Sequence, residues 1–174
     1  MNSRMTPQPH HSIPAVVPPA NCFTVLVIDD LPANRVLLRK VLQSAGYAVI
    51  EATNGDEALA LISGRVLLPD LIVTDIEMPG MDGVTLVDRL RRLGSPSALI
   101  PVIAASGNAD ELMRRDALAA GCDVFLTKPF DLSLLLREIG LLIKARRQGG
   151  SLRSAVPAGD MAPNRIELRL REAK

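Results

Sequence analysis

Asp70-Leu71-Ile72-Val73-Thr74-Asp75-Ile76-Glu77-Met78-Pro79-Gly80-Met81-Asp82-Gly83 is the stretch on which the reading of this chain turns. Leu71 to Val73 is a short apolar run with the length and β-branching of a buried strand. It runs up to one carboxylate, Asp75. A tight loop with Pro79 and Gly80 follows, and Asp82-Gly83 leads into a helical pattern. A carboxylate at the C-terminal end of a buried parallel strand stands where open α/β sheets place their ligands.

The same alternation extends in both directions. Thr24 to Ile28 is a second apolar run, ending in Asp29-Asp30, with Pro32 suited to the first turn of a helix. Leu37, Leu38, Val41, Leu42 and Ala45 recur at helical spacing, and Gly46 closes that helix. Tyr47 to Ala52 reads as a strand and Asn54 to Ile62 as a helix with Ala58, Leu59 and Ile62 inward. The helix after Gly83 runs to about Leu93, with Val84, Val87 and Leu90 on one face. Pro101 to Ala105 is a strand ending at Ser106-Gly107-Asn108, and a helix covers roughly Ala109 to Ala120. Asp123 to Thr127 is the last strand, ending at Lys128-Pro129, and Asp131 caps a final helix to about Arg147. Five strands alternating with five helices predict a doubly wound parallel sheet with helices on both faces.

The 174 residues suit one domain with tails, and 48% hydrophobic residues supply a core without disulfides. With aromatics at 2% and no Trp, that core falls to Leu, Val, Ile and Ala. Cys22 and Cys122 offer neither metal spacing nor a disulfide framework, which makes a reduced, cytoplasmic setting the expectation. No apolar run reaches membrane-spanning length, and no membrane partner is expected. From Phe23 to Ile143 there are 11 Lys/Arg against 16 Asp/Glu, a net −5; from Lys144 to Lys174 there are 8 against 3, a net +5. An acidic body argues against a nucleic-acid partner. Residues 1–22, with five prolines and the His10-His11 pair, read as a disordered leader. Residues 23–147 read as the folded domain and 148–174 as a basic, largely disordered tail. Within that tail, Ile166, Leu168 and Leu170 alternate in phase, and a frayed terminus is the reading adopted.

Four of the five strands end in groups that can do chemistry: Asp29 and Asp30, Asp75, Ser106 and Lys128. Parallel strands share their C-terminal edge, so all should gather there. Two like charges about 4 Å apart repel by about 4 kcal/mol at an effective dielectric of about 20. A hard divalent cation with oxygen ligands would neutralise them, and Mg²⁺ suits a small, open carboxylate site. Both histidines lie in the leader, so a Ser-His-Asp hydrolase is not expected. A carboxylate nucleophile can accept a phosphoryl group, with metal and Lys128 neutralising the transferring oxygens.

Taken jointly, Val27-Ile28-Asp29-Asp30, Asp75-x-x-Met78-Pro79-x-Met81-Asp82-Gly83, Ala104-Ala105-Ser106-Gly107 and Lys128-Pro129-Phe130 resemble a two-component response-regulator receiver domain, over roughly residues 23 to 145. The resemblance implies a flavodoxin-like five-stranded sheet of order 2-1-3-4-5. It implies Asp75 as phosphoacceptor and a Mg²⁺ (or Mn²⁺) site made by Asp30 and Asp75 directly, Asp29 through water, and the backbone carbonyl of Glu77. It implies Lys128, Ser106 and Gly107 as the phosphoryl-binding groups, Ser106 and Phe125 as the switch pair, and a cis bond between Lys128 and Pro129. It implies a histidine kinase or histidine phosphotransfer protein as phosphodonor. Ser106 stands where Thr is commoner in the family and Phe125 where Tyr is frequent, and Glu77 adds an acid beside the site that could repel small phosphodonors or orient water.

Two other readings share parts of this pattern. A flavodoxin-like cofactor binder should have anion-cradling donors in its first loop, where this chain has Asp29-Asp30. A metal-dependent aspartyl phosphatase should carry its nucleophile after the first strand. Within the receiver reading, only about 30 residues follow the last helix, too few for an ordinary effector domain. The expected outputs are therefore protein contact, with a target or a second copy, or membership of a longer regulator or hybrid kinase. In the last helix Leu132, Leu135, Leu136, Ile139 and Ile143 form the expected inward stripe. Leu134 and Leu141 project to nearly the opposite side, which makes them the expected interface.

Overall fold

The computed structural model describes residues 22–64, 68–108 and 110–148. The expected leader up to residue 21 and the tail from residue 149, with its alternating segment at 165–170, lie outside the described residues. The strands are β1 Thr24–Ile28, β2 Ala48–Ala52, β3 Leu71–Asp75, β4 Val102–Ser106 and β5 Val124–Thr127. The helices are α1 Pro32–Ser44, α2 Gly55–Ser63, α3 Gly83–Arg92, α4 Glu111–Ala120 and α5 Leu132–Arg147. All pairings are parallel, in the order β2-β1-β3-β4-β5. This is the doubly wound, flavodoxin-like sheet expected from the alternation of elements.

β1, β3 and β4 are buried along their whole length, which is why TVLVI, LIVTD and VIAAS are runs of small and β-branched residues with little alternation of polarity. Side chains of alternate residues enter two separate cores. Leu26, Ile28, Ile72, Val102 and Ala104 pack with residues of α2, α3 and α4. Val25, Val27, Leu71, Val73, Ile103 and Val124 pack with α1 and α5. Four helices start on side-chain caps: Asn54 accepts from the Glu57 N–H, Asp82 from Thr85, Asp110 from Leu112 and Asp131 from Ser133. Among the described residues no helix is long and apolar enough to cross a membrane.

Details of the helical faces differ from expectation. Leu37 is 51% exposed, because α1 turns Leu38 and Leu42 to the sheet and leaves its neighbour in water. A short 3₁₀ turn, Ser97–Leu99, follows the break after α3. In α5 the buried positions are Leu135, Glu138, Ile139, Leu142 and Ile143. That centres the inward face about Leu142 and brings Leu134 and Leu141 to its flank. Both are half-buried, and Leu134 packs against the α1–α5 core. The expected exposed leucine patch on α5 is therefore corrected: the stripe is rotated from the one drawn through Leu132 and Leu136.

At the end of the sheet away from the carboxylates, a guanidinium ties the entries to β4 and β5. Arg91 of α3 donates to the carbonyls of Ala98, Ile100 and Gly121 and lies 3.4 Å from the buried Asp123 carboxylate, which itself accepts the Val102 N–H at 2.8 Å. One side chain thus joins α3, the 3₁₀ turn and the entries to β4 and β5. Arg91→Ala should destabilise the fold by about 3 kcal/mol or more, because it leaves buried acceptors and a buried charge behind. Urea denaturation checks this; a loss under about 1 kcal/mol would contradict it.

Candidate functional site

The strand order makes the site. β1 and β3 are neighbours, in register Val27↔Val73 and Ile28↔Thr74. One residue further along, Asp29 and Asp75 leave the sheet side by side. β2 lies to one side of this pair and β4 to the other, so the chain winds outward in both directions and leaves a crevice at the C-terminal edge. Asp75 continues from β3 into a bend whose tightness depends on Gly83. The Gly83 N–H bonds the Ile76 carbonyl at 2.9 Å. A Cβ on Gly83 would run into the Asp75 carbonyl oxygen and sit 2.8 Å from Ile76 Cα. The first helical residue of α3 is thus pressed directly against the backbone that carries Asp75.

One carboxylate oxygen from each of Asp29, Asp30 and Asp75 lies within 4.8 Å of the others. Asp29 and Asp75 are buried and Asp30 half-buried. Lys128, just past β5, reaches over them: its Nζ is 2.7 Å from Asp75 Oδ2 and 3.2 Å from Asp29 Oδ2. The Lys128–Pro129 bond is cis. Asp29 is further held by the Leu31 N–H at 2.9 Å and by the Asn34 amide at 3.0 and 3.1 Å. Arg35 binds the carbonyls of Asp29 and Asp30 at 2.8 and 3.1 Å and pairs with Glu51 on β2. Asn34 and Arg35 were not picked out from the sequence. Their signal was their place in the first turn of a helix that starts two residues after the acid pair, which points them back at it.

Burial pushes the Asp75 carboxyl above its ordinary range. Lys128 and the Glu77 N–H pull it down, and the Asp29 charge pushes it further up. For Lys128, burial lowers the ammonium, but the hydrogen bond and charge of Asp75, with Asp29, outweigh it and leave it raised. A single ammonium therefore serves two buried carboxylates and holds its proton more tightly for doing so. The Asp30 carboxylate accepts no hydrogen bond from the described residues. A half-buried carboxylate without a protein donor, grouped with two others, is a donor set suited to a hard divalent cation.

The remaining expected residues flank this centre. Ser106 ends β4 fully buried, its Oγ accepting the Asn108 N–H at 2.9 Å and lying 3.1 Å from the Asn108 carbonyl. Phe125 pairs with Ala104 and is half-buried, on the sheet face that also carries Ser106, against the α2–α4 core. Gly107 presents its N–H to the Glu77 carboxylate at 2.7 Å. Met78 and Met81 are buried in the loop, packed into the same core. Leu134 and Leu141 lie on α5, apart from this group of residues in the sequence and on the half-buried flank described above.

Fold and site together define a flavodoxin-like α/β module with an acidic centre at its sheet edge, compatible with a divalent cation. The response regulator receiver domain model matches residues 25–140. An uncharacterized 14.6 kDa protein of Leptolyngbya boryana is 43% identical over 66% of this chain and 86% of its own. The sensor histidine kinase CheAY of Helicobacter pylori is 34% identical over 70% of this chain, which spans 15% of that kinase. The crystal structure of chemotaxis response regulator CheY4 of Vibrio cholerae superposes with a TM-score of 0.63 at 30% identity, covering 70% of this chain and 99% of that one. The chain belongs to the receiver-domain family of two-component systems. Such domains are signalling switches rather than ordinary enzymes, and they work with histidine kinases or phosphotransfer proteins.

The close approach of Gly83 makes the loop after Asp75 sensitive to a single added methyl. Gly83→Ala should destabilise the protein by about 3 kcal/mol, since backbone rather than a flexible side-chain end must move to admit the methyl. Thermal or urea unfolding reads this, and a change within about 0.5 kcal/mol would show that the loop yields freely.

Proposed function

We propose that Asp75 is the phosphoacceptor of this receiver domain, taking a phosphoryl group from a phosphohistidine on a histidine kinase or phosphotransfer protein. The observation that carries this is the Asp75 carboxylate, buried at the sheet edge, 2.7 Å from Lys128 and clustered with Asp29 and Asp30. In the transfer, the P–N bond to the donor histidine breaks and a P–O bond to Asp75 forms. The histidine nitrogen keeps the electron pair and takes up a proton. Lys128 orients Asp75 and then faces the new phosphoryl oxygens with its charge. Asp29, Asp30, Asp75 and the backbone carbonyl of Glu77 would hold Mg²⁺ or Mn²⁺, which supplies charge neutralisation on the transferring oxygens when bound. Ser106 and the Gly107 N–H are donors for the phosphoryl group, and Ser106 moving toward it frees space for Phe125 to turn inward. Hydrolysis of the acyl phosphate resets the switch, and the signal leaves through contact with a protein target or a second copy. A chain with two cysteines, Cys22 and Cys122, and no disulfide framework in its sequence fits a reducing compartment such as the cytoplasm.

The test is labelling from a phosphorylated donor. Wild type should take up one phosphoryl group per chain, only with Mg²⁺ or Mn²⁺, and Asp75→Asn should take up none. Asp30→Ala should raise the metal concentration needed by about tenfold or more, since it removes a charged ligand. Label that persists in Asp75→Asn would assign the chemistry to another residue. Continuous turnover of a phosphate ester would support the aspartyl phosphatase reading instead.

A further inference from the structure

Glu77 is exposed, yet its carboxylate is engaged. Its Oε2 accepts the Gly107 N–H at 2.7 Å and lies 3.3 Å from Ser106 Oγ. The first distance is short for an N–H···O bond, as expected when the acceptor is charged. Ser106 has one hydroxyl proton to share between Glu77 and the Asn108 carbonyl at 3.1 Å, so the Gly107 N–H is the firmer contact. These two donors are the ones that the proposed reading gives to the phosphoryl group. The loop Ile76–Gly80 and the turn after β4 are thereby bridged by an anion that belongs to the protein itself.

We infer that the Glu77 side chain is an internal stand-in for the phosphoryl group, occupying the Gly107 and Ser106 donors before transfer and competing with it for them. This rests on the assignment of Asp75 as phosphoacceptor. A backbone N–H has one proton to give, and a phosphoryl group brings a charge of about −1.5 to −2 to the same place. Two anions cannot share that donor without repulsion, so the carboxylate must swing out when the phosphoryl group arrives. Its exposure makes that exit inexpensive, because the released carboxylate goes to water. Glu77 thus sets how readily the unmodified domain accepts a phosphoryl group or an analogue of one.

The test uses the full chain with Mg²⁺ and beryllofluoride, followed by amide NMR, in wild type, Glu77→Gln and Glu77→Asp. Glu77→Gln keeps the shape and removes the charge; Glu77→Asp keeps the charge but is one methylene too short to reach. In the free protein the Gly107 amide proton should move upfield in both variants. Beryllofluoride should bind about tenfold more tightly in both, the equivalent of one charged hydrogen bond no longer contested. An unmoved Gly107 amide, or unchanged beryllofluoride affinity in both variants, overturns the inference. A gain in Glu77→Gln without one in Glu77→Asp also overturns it, since simple charge repulsion would suffice. Failure of beryllofluoride to bind wild type would instead bring down the phosphoacceptor reading, and this inference with it.

Discussion

The repulsion among Asp29, Asp30 and Asp75 is the constraint around which this domain is built. Three carboxylates with oxygens within 4.8 Å of one another are unfavourable in any medium, and more so where two are buried. The fold answers with one ammonium, two first-turn side chains of α1 and a few backbone N–H groups. Lys128 serves Asp75 and Asp29, Asn34 takes both oxygens of Asp29, and Arg35 fixes the backbone beneath the pair. Among the described residues Asp30 is left without a donor. On the proposed reading, a centre so nearly balanced responds strongly to one added cation or one added phosphoryl group, which is the property a switch requires.

Every element near the edge can be traced to keeping these groups in place. β1 and β3 must be adjacent for Asp29 to meet Asp75, and that adjacency places the point where the winding reverses. α3 must begin on a glycine for the loop after Asp75 to fold back as tightly as it does. α1 must start at Pro32 for its first turn to reach the acid pair. At the opposite edge, Arg91 joins α3 to the starts of β4 and β5, holding the strands that carry Ser106 and Lys128. The receiver family match over residues 25–140 coincides with the span that this network stabilises.

Much of this was legible in the sequence because buried parallel strands are continuous apolar runs and their polar termini stand out against them. The caps Asn54, Asp82 and Asp131 marked helix starts for the same local reason. What escaped depended on tertiary contacts or on ambiguous faces. α5 is apolar around most of its circumference, so periodicity alone did not say that Leu142 rather than Leu136 faces inward, nor that Leu134 is packed. In α1 the apolar Val36-Leu37-Leu38 run hid which of its members meets the sheet. The Arg91 clamp and the Glu77–Gly107 contact join residues about 30 apart in sequence, with partners that are mostly backbone groups. Glu77 was seen as an acid beside the site, but its partner could be known only from the placement of the turn after β4.

The balance of charge at the edge is most directly measured as stability against Mg²⁺. A cation that binds the folded carboxylate cluster and not the unfolded chain must raise the unfolding midpoint as its concentration rises. Wild type should show that rise. Asp30→Asn should be more stable than wild type without metal, because one repelling charge is gone, and should lose most of the response. A wild-type midpoint that does not move with saturating Mg²⁺, or an Asp30→Asn protein less stable than wild type in its absence, would contradict the account.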